Sequence, residues 1–575
     1  MKIEEIELID GPKIPLTSFT VIIGTNAVGK TTFLREIFWQ ASGQASPNQK
    51  WIKNATTTKA TEKEASILTN SLKWNSNLEL YTPIQLEGRE PIKITKDEYV
   101  RLINNEECNK REQTEIIEKN KHAFFSLQQT KNRLAQWDKI RKKESKKIPI
   151  DPVNILWTEK NLLQNVQKYI WDEFRKSLHI LDHDNTDLEI GITENENPTP
   201  QKNGENSDQR YDQIETWKKQ NKFIKLIDSG DGICAVTKLI LEIHHPANEV
   251  ILIDEPELFL YPKQRRSLAQ YLSKLAEKQK KQLVIVTHDA TFLHGIMEYE
   301  REDKENPTII RLGENQEDRN RTAFWHSEDA KDVKGNQIEW LENLFHNLTV
   351  ITESPSDRYF YQNAAEKYQL TNNQDIGWTF TNGKYDIINC AKLYQNFHIP
   401  FSILVDFDAL LKKESESQVS KFIKLLVKNK QTYENAIRTV NEINKLLAHN
   451  CNKKSFCECC SNFKENESCD ECNGLNARCS QFKKNGSCNQ CDNLKSHGID
   501  TPNIDKIKVE DEINKLKNYG IHVVKKGELE SWGKNMKKNV GRYPQEVLNK
   551  LDLQTENELK TFLTEVITRP YSPAD

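Results

Sequence analysis

The sequence predicts an α/β chain, and three observations carry that prediction. A phosphate-loop pattern, Gly24-Thr-Asn26-Ala-Val-Gly29-Lys30-Thr31, stands between an apolar run at 19–23 and a segment without Gly or Pro at 32–40. A second apolar run, 250–253, closes on two adjacent carboxylates, Asp254 and Glu255. Further on, Glu353 follows the run 348–352, and Asp406-Phe-Asp408 follows the run 400–405, with Gly383 in a turn between them. Short apolar runs bounded by turn residues and separated by helix-length stretches are the pattern of buried parallel strands joined by crossover helices.

Length and composition narrow the class. At 575 residues the chain has room for about three or four domains of roughly 100–200 residues each. Charged residues make up 29% but the net charge is only -3, so any nucleic-acid partner must be met by a local patch and not by a global field. The N-terminus lacks a cationic stretch followed by an apolar one, and no apolar run approaches the roughly 18 residues of a membrane span, so a soluble cytoplasmic protein is expected. Nine of the twelve cysteines fall between Cys451 and Cys491, which in an intracellular chain favours metal over disulfides.

The first element in order is the phosphate loop. Backbone N–H groups around Gly24, Asn26 and Gly29, aided by the following helix N-terminus, suit triphosphate oxygens. Lys30 is expected on the β/γ-phosphates, Thr31 on Mg²⁺, and Thr32 beside them in the first helical turn. Gln85 is a candidate nucleotide-sensing residue. A helical insertion, about 95–180, is expected from its Glu, Lys, Gln and Leu content and lack of Gly, with a basic end at 139–147 able to meet a phosphate backbone. A flexible loop is expected at about 194–212, where little is apolar. Next, Ser229-Gly230-Asp-Gly opens an apolar helical run, and such a turn can bind phosphate through free N–H groups. Asp254 is expected to hold Mg²⁺ and Glu255 to polarise the attacking water. The 257–262 segment, Glu-Leu-Phe-Leu-Tyr-Pro, follows, and His288 lies beyond the run 283–286, where a γ-phosphate switch belongs.

In that order these elements resemble the ABC-type ATPases of the SMC/RecF class over residues 1–300. The resemblance implies an ATP-dependent homodimer of heads, with Ser229 and Gly230 capping the nucleotide held by the partner's phosphate loop and 257–262 at the interface.

Residues 301–346, with a strand-like run at 308–312, read as a bridge, and 347–575 as a second α/β domain. Glu353 at a strand end, Asp357 one helical turn on, and Asp406 and Asp408, which alternation along a strand would point the same way, form a hard-oxygen set suited to Mg²⁺ or Mn²⁺. This constellation resembles the TOPRIM fold. An ABC-type ATPase followed by TOPRIM in one chain resembles the OLD (overcoming lysogenization defect) family of nucleases. The match extends to Gly527-Glu528-Leu-Glu530-Ser-Trp. The resemblance implies metal binding by Glu353, Asp357, Asp406, Asp408 and Glu530, with Glu528 a competing choice, and a pair of ions about 4 Å apart acting on a phosphodiester. Glu353-Ser-Pro departs from the usual TOPRIM glutamate-glycine, and the family's late lysine stays open among Lys534, Lys550 and Lys560. The function implied is an ATP-regulated, divalent-metal-dependent nuclease, DNA favoured, in antiphage defence, with a partner defence protein or RNA open. Two alternatives stand beside it: a sensor or scaffold ATPase whose TOPRIM domain cleaves RNA such as tRNA as a toxin, and an SMC/RecF-like repair ATPase whose TOPRIM domain only binds nucleic acid.

Within the second domain lies a cysteine-rich insertion, about 449–497. Cys460-Ser-Asn-Phe-Lys with Cys469-x-x-Cys472 recurs as Cys479-Ser-Gln-Phe-Lys with Cys488-x-x-Cys491. Each unit offers three thiolates, and tetrahedral Zn²⁺ takes four ligands, so Cys451, Cys457, Cys459 or His449 are expected to complete two structural zinc sites. Lys464, Lys483, Lys484 and Lys495, interleaved with Phe463 and Phe482, suit either nucleic acid or solvent.

Overall fold

The structure is a computed structural model of the full chain, and it describes all residues except 10, 44–48, 59–71, 76–79, 84–124, 129–139, 142–151, 184–186, 197, 200–206, 246–247, 301, 303–304, 315–320, 327–337, 372–374, 384–385, 412–416, 448–493, 503, 534–541 and 573–575. The cysteines from Cys451 to Cys491, together with His449, Gln85 and Lys534, lie outside the described residues. The chain divides into two compact units, Met1–Gly335 and Asn336–Asp575.

In the first unit, β1 (Ile3–Leu8), β2 (Lys13–Pro15) and β3 (Phe19–Gly24) precede the helix Lys30–Ser42, and β4 (Ile52–Thr57), β5 (Leu72–Asn75), β6 (Leu80–Pro83), β7 (Phe125–Gln128) and β8 (Ile140–Arg141) follow. After the helices Pro152–Thr158 and Lys160–Phe174 come β9 (Ser177–Asp182), β10 (Asp187–Thr193) and, beyond the helix Ser207–Gln220, β11 (Ile224–Lys225). The helix Asp231–His244 leads to β12 (Val250–Asp254), the helix Pro262–Gln279 to β13 (Gln282–Val286), and the helix Ala290–Glu298 to β14 (Thr308–Glu314) and β15 (Arg321–His326). The main sheet runs β15-β14-β3-β13-β12-β7, parallel throughout except for β15, which pairs antiparallel with β14.

All five residues of β12 and of β13 are buried, as expected of central parallel strands covered on both faces. The helix Lys30–Ser42 packs Phe33, Leu34 and Ile37 into the core with Ile22, Leu252 and Val284. Its fully buried Glu36 accepts backbone N–H groups from Lys50, Trp51 and Ile52 at 2.9, 2.8 and 3.0 Å, the kind of compensation a buried carboxylate requires. The antiparallel sheet β2-β1-β4 is tied to the main one by Gln282, whose amide accepts from Ile3 N at 2.7 Å and donates to Ile3 O and Thr17 O at 2.8 and 2.9 Å.

Three expectations about this unit change. The stretch read as a bridge, 301–346, supplies β14, which lies directly beside β3, and β15 at the sheet edge. Its Ile309, Ile310 and Leu312 are buried because β14 is a core strand arriving late in the chain. Of the stretch read as a helical insertion, 95–180, residues 95–124, 129–139 and 142–151 lie outside the described residues; the rest holds the helices Pro152–Thr158 and Lys160–Phe174 but also β7, paired in parallel with β12, then β8 and β9. A four-residue strand gives too short a period to stand out from charge-rich surroundings. Finally, residues 194–212, read as a flexible loop, include the start of the helix Ser207–Gln220, which is polar almost throughout but buries Ile214.

In the second unit, β16 (Leu348–Thr352), β17 (Ile376–Phe380), β18 (Phe401–Val405) and β19 (Ile521–Val523) form a parallel sheet in the order β17-β16-β18-β19. The helices Pro355–Lys367 and Ile387–Asn396 are the crossovers, and the late helix Leu553–Thr568 packs Leu559, Leu563 and Val566 into a core with Val350, Phe360 and Leu404. Among the described residues no helix is long and apolar enough to cross a membrane.

Candidate active sites of the two units

At the carboxyl end of β3 the chain turns into the phosphate loop. Gly24 has φ 148°, and a Cβ there would lie 2.4 Å from the Leu312 carbonyl oxygen of β14, so the late strand itself explains why glycine is needed. Gly29 caps the helix Lys30–Ser42, Asn26 is exposed, and Thr31 and Thr32 sit half-buried in the first turn. Lys30 Nζ is buried and donates to the Gly24 and Thr25 carbonyls, each at 2.9 Å, which folds the ammonium across the loop. Burial lowers its pKa, opposed by the charges of Glu255, Asp254 and Glu257.

Thr31 Oγ1 donates to Asp254 Oδ2 at 3.0 Å and Oδ1 at 3.2 Å, joining the loop to the end of β12. A hydroxyl and a carboxylate held side by side beneath a phosphate loop fit a hard divalent ion. Glu255 takes φ 51°, sparsely populated for a residue with a side chain, and its N–H donates to Val286 O at 2.9 Å. This turn aims Glu255 at the next strand end, where His288 Nδ1 lies 3.1 Å from Glu255 Oε1 and 3.5 Å from Glu257 Oε1. The hydrogen bond to Glu255 raises the His288 pKa against the effect of burial. Glu257 is buried and accepts from Thr287 Oγ1 at 2.7 Å and His288 N at 3.2 Å, and burial raises its own pKa. Ser229 and Gly230 stand at the start of the helix Asp231–His244, Gly230 exposed with open space around it and Ser229 Oγ bonded to Leu226 O. The following segment presents Phe259 and Tyr261 to solvent, Tyr261 being 78% exposed.

At the carboxyl ends of β16 and β18 is the second acidic site. Carboxylate oxygens of Glu353, Asp406 and Asp408 lie within 4.8 Å of one another. Asp406 N donates to Glu353 Oε1 at 3.0 Å, locking the two strand ends in register. The convergence of the two aspartates has a different origin from strand alternation: β18 ends at Val405, and Asp408 lies in the 3₁₀ turn Phe407–Leu410 that Asp406 caps. That turn folds Asp408 back beside Asp406. Three hard oxygen donors at this spacing fit Mg²⁺ or Mn²⁺ better than a softer metal.

The remaining predicted ligands stand around this trio without joining it. Asp357 is in the first turn of the helix Pro355–Lys367, where Ser354 Oγ donates to its carboxylate at 2.8 Å and caps its N–H. Glu528 caps the 3₁₀ turn Leu529–Trp532, which contains Glu530, and is ion-paired with Lys495 at 3.4 Å. Tyr361, fully buried, accepts from Trp532 Nε1 at 3.1 Å. Burial pushes its hydroxyl far above the usual range, with Asp357, Asp406 and Glu530 adding to the effect, so these carboxylates share one neighbourhood. Sequence reasoning missed Lys495 as a neighbour of this site. The sequence places it only among the basic residues of the cysteine-rich insertion, and the contact that brings it here is with Gly527, 32 residues on.

Comparison with known families now decides the architecture. Residues 19–293 match the family described as "AAA domain, putative AbiEii toxin, Type IV TA system", and residues 344–408 match "Overcoming lysogenization defect protein-like, TOPRIM domain". This is the architecture of the OLD family. An ABC-type ATPase domain is followed in the chain by an OLD-like TOPRIM domain. No curated protein matches the chain. Solved structures similar to it include an Smc head bound to the C-winged helix domain of ScpA, at 13% identity and TM-score 0.31, covering 58% of this chain and 99% of that one. A Pyrococcus furiosus Smc head with an extended coiled coil, bound to the C-terminal domain of ScpA, aligns at 12% identity and TM-score 0.29, covering 58% and 98%. The SMC head domain from Thermotoga maritima aligns at 10% identity and TM-score 0.26, covering 57% and 99%.

Proposed function

We propose that this OLD-type chain is an ATP-regulated, divalent-metal-dependent nuclease, with DNA the favoured substrate and antiphage defence the biological setting. The observation that carries the nuclease reading is the convergence of Glu353, Asp406 and Asp408 at two adjacent strand ends of a TOPRIM domain. Glu353 and Asp406 would hold an ion with Asp408, and Asp357 and Glu530 would serve a neighbouring one. Such ions supply positive charge to a phosphodiester oxygen and to the leaving oxygen. The chain's own contribution is to fix that charge: the Asp406 N–H to Glu353 bond and the 3₁₀ turn hold the acids without solvent reorganisation.

In the ATPase unit, the phosphate-loop N–H groups and Lys30 would bind the triphosphate, Thr31 and Asp254 would hold Mg²⁺, and Glu255 would accept a proton from the attacking water. His288, bonded to Glu255, orients that carboxylate and reports the γ-phosphate to the strand β13. Exposed Gly230, Phe259 and Tyr261 belong to a face on which a second head docks when ATP is bound. The cysteine repeat, which lies outside the described residues, would bind two structural Zn²⁺ ions.

The deciding experiment incubates purified protein with plasmid DNA and with a tRNA pool, varying ATP and Mg²⁺ or Mn²⁺ independently. Metal-dependent cutting of DNA is expected. Cutting confined to tRNA turns the reading to the RNA-cleaving alternative, and binding without cutting turns it to the repair-type ATPase.

A further inference from the structure

Acidic sites that act on nucleic acid face an elementary difficulty, since the carboxylates that attract metal also repel the phosphates of the substrate. A cation set close to the acids but left open to solvent resolves it. Lys495 has those properties: its side chain is 48% exposed while its ammonium is 3.4 Å from Glu528 Oε2. Asp406 and Glu530 also lie near enough to act on its charge.

The backbone that carries Lys495 is fixed without that ion pair, which then aims only the side chain. Leu494 is buried, Ser496 O accepts from Ser531 Oγ at 3.1 Å, and Ile499 N donates to Lys525 O at 2.9 Å. Gly527 stands between Lys495 and the D-x-D turn. On one side its carbonyl accepts from Phe407 N, the residue between the two aspartates, at 2.7 Å. On the other, a Cβ at Gly527, where φ is 115°, would lie 2.3 Å from Lys495 O. Glycine here lets the backbone of Lys495 press onto the same turn that holds Asp406 and Asp408 in register. An exposed ion pair alone stabilises little, which gives no reason for so close an approach.

We propose that Lys495 binds a phosphate of the nucleic-acid strand beside the Glu353, Asp406 and Asp408 carboxylates, with Glu528 and the Gly527 turn positioning it. This assignment rests on the nuclease reading above and adds to it a residue that contacts substrate. The test measures binding of a fluorescein-labelled duplex DNA and a labelled single-stranded RNA by anisotropy, without divalent ions, across a KCl series. Cleavage of the same probes is measured with Mn²⁺. Lys495→Ala should lower the slope of log affinity against log salt by about 0.7–0.9, one phosphate contact, and reduce cleavage at least tenfold. Lys495→Arg should keep the slope. If Lys495→Ala leaves the slope of the wild type unchanged, or if Lys495→Arg loses as much as Ala with an unaltered thermal transition, the assignment is overturned. A wild-type protein that binds but cuts neither probe removes the nuclease reading alone, because the slope still decides the role of Lys495.

Discussion

His288 Nδ1 lies 3.1 Å from Glu255 Oε1, so the carboxylate at the end of β12 and the imidazole beyond β13 act as a pair. A general base contributes about 100- to 10,000-fold, and Glu255→Gln removes it while leaving a hydrogen-bonding shape. We expect that variant to bind ATP normally, to hydrolyse it at least about 100-fold more slowly, and to accumulate as an ATP-bound dimer in size-exclusion chromatography. The same change removes the main cause of the raised His288 pKa. NMR titration should show the imidazole of the variant losing its proton at a lower pH than in the wild type.

Lys30 spans the loop carbonyls of Gly24 and Thr25 at 2.9 Å, donors and acceptors that ATP phosphates would rearrange. Lys30→Ala should abolish nucleotide binding in a fluorescent-nucleotide assay while the fold persists. Normal affinity would show that the triphosphate is held elsewhere.

For the TOPRIM site, Asp406→Ala removes one of three converging oxygen donors. Metal-dependent cutting should fall to background, whereas ATP hydrolysis should continue. Asp357→Asn, already bonded through Ser354, should lower cutting less. Intact cutting by Asp406→Ala would locate the reaction away from these strand ends.

The cysteine repeat makes a compositional prediction. Purified protein should contain about two zinc ions per chain, and Cys469→Ser should lose one of them in metal analysis. A protein that carries no zinc and forms Cys469–Cys472 disulfides would be a redox device instead.

Legibility of the fold followed the length scale of each signal. The phosphate loop and the Asp254-Glu255 end of β12 are written in contiguous residues, so their chemistry could be read directly. What places β14 beside β3 is pairing between residues far apart in the chain, and residues 301–346 read as a bridge because nothing local announces that partner. The four residues of β7 fared the same way. The trio of acids was legible as residue types, but its geometry was not. Asp406 and Asp408 converge through a 3₁₀ turn, and that turn is anchored by Gly527, more than a hundred residues downstream. Lys495 belongs to the site through the same long-range contact, so its sequence context could not point there.

A pH effect on the TOPRIM unit follows from His522, which is fully buried in β19. Burial pushes its pKa down from 6.5 to about 4, against the hydrogen bond in which Nε2 donates to Arg569 O at 3.0 Å. The neutral ring is therefore the folded form, while the unfolded chain takes up a proton below pH 6.5. Between those values the unfolded state binds more protons, so stability falls as pH drops from 6.5 toward 4. The full shift corresponds to about 3 kcal/mol. His522→Asn keeps a donor but cannot be protonated. Its thermal transition should start lower at neutral pH, because packing is lost, yet decline less steeply on acidification. Parallel declines in wild type and variant would assign the acid sensitivity to other groups.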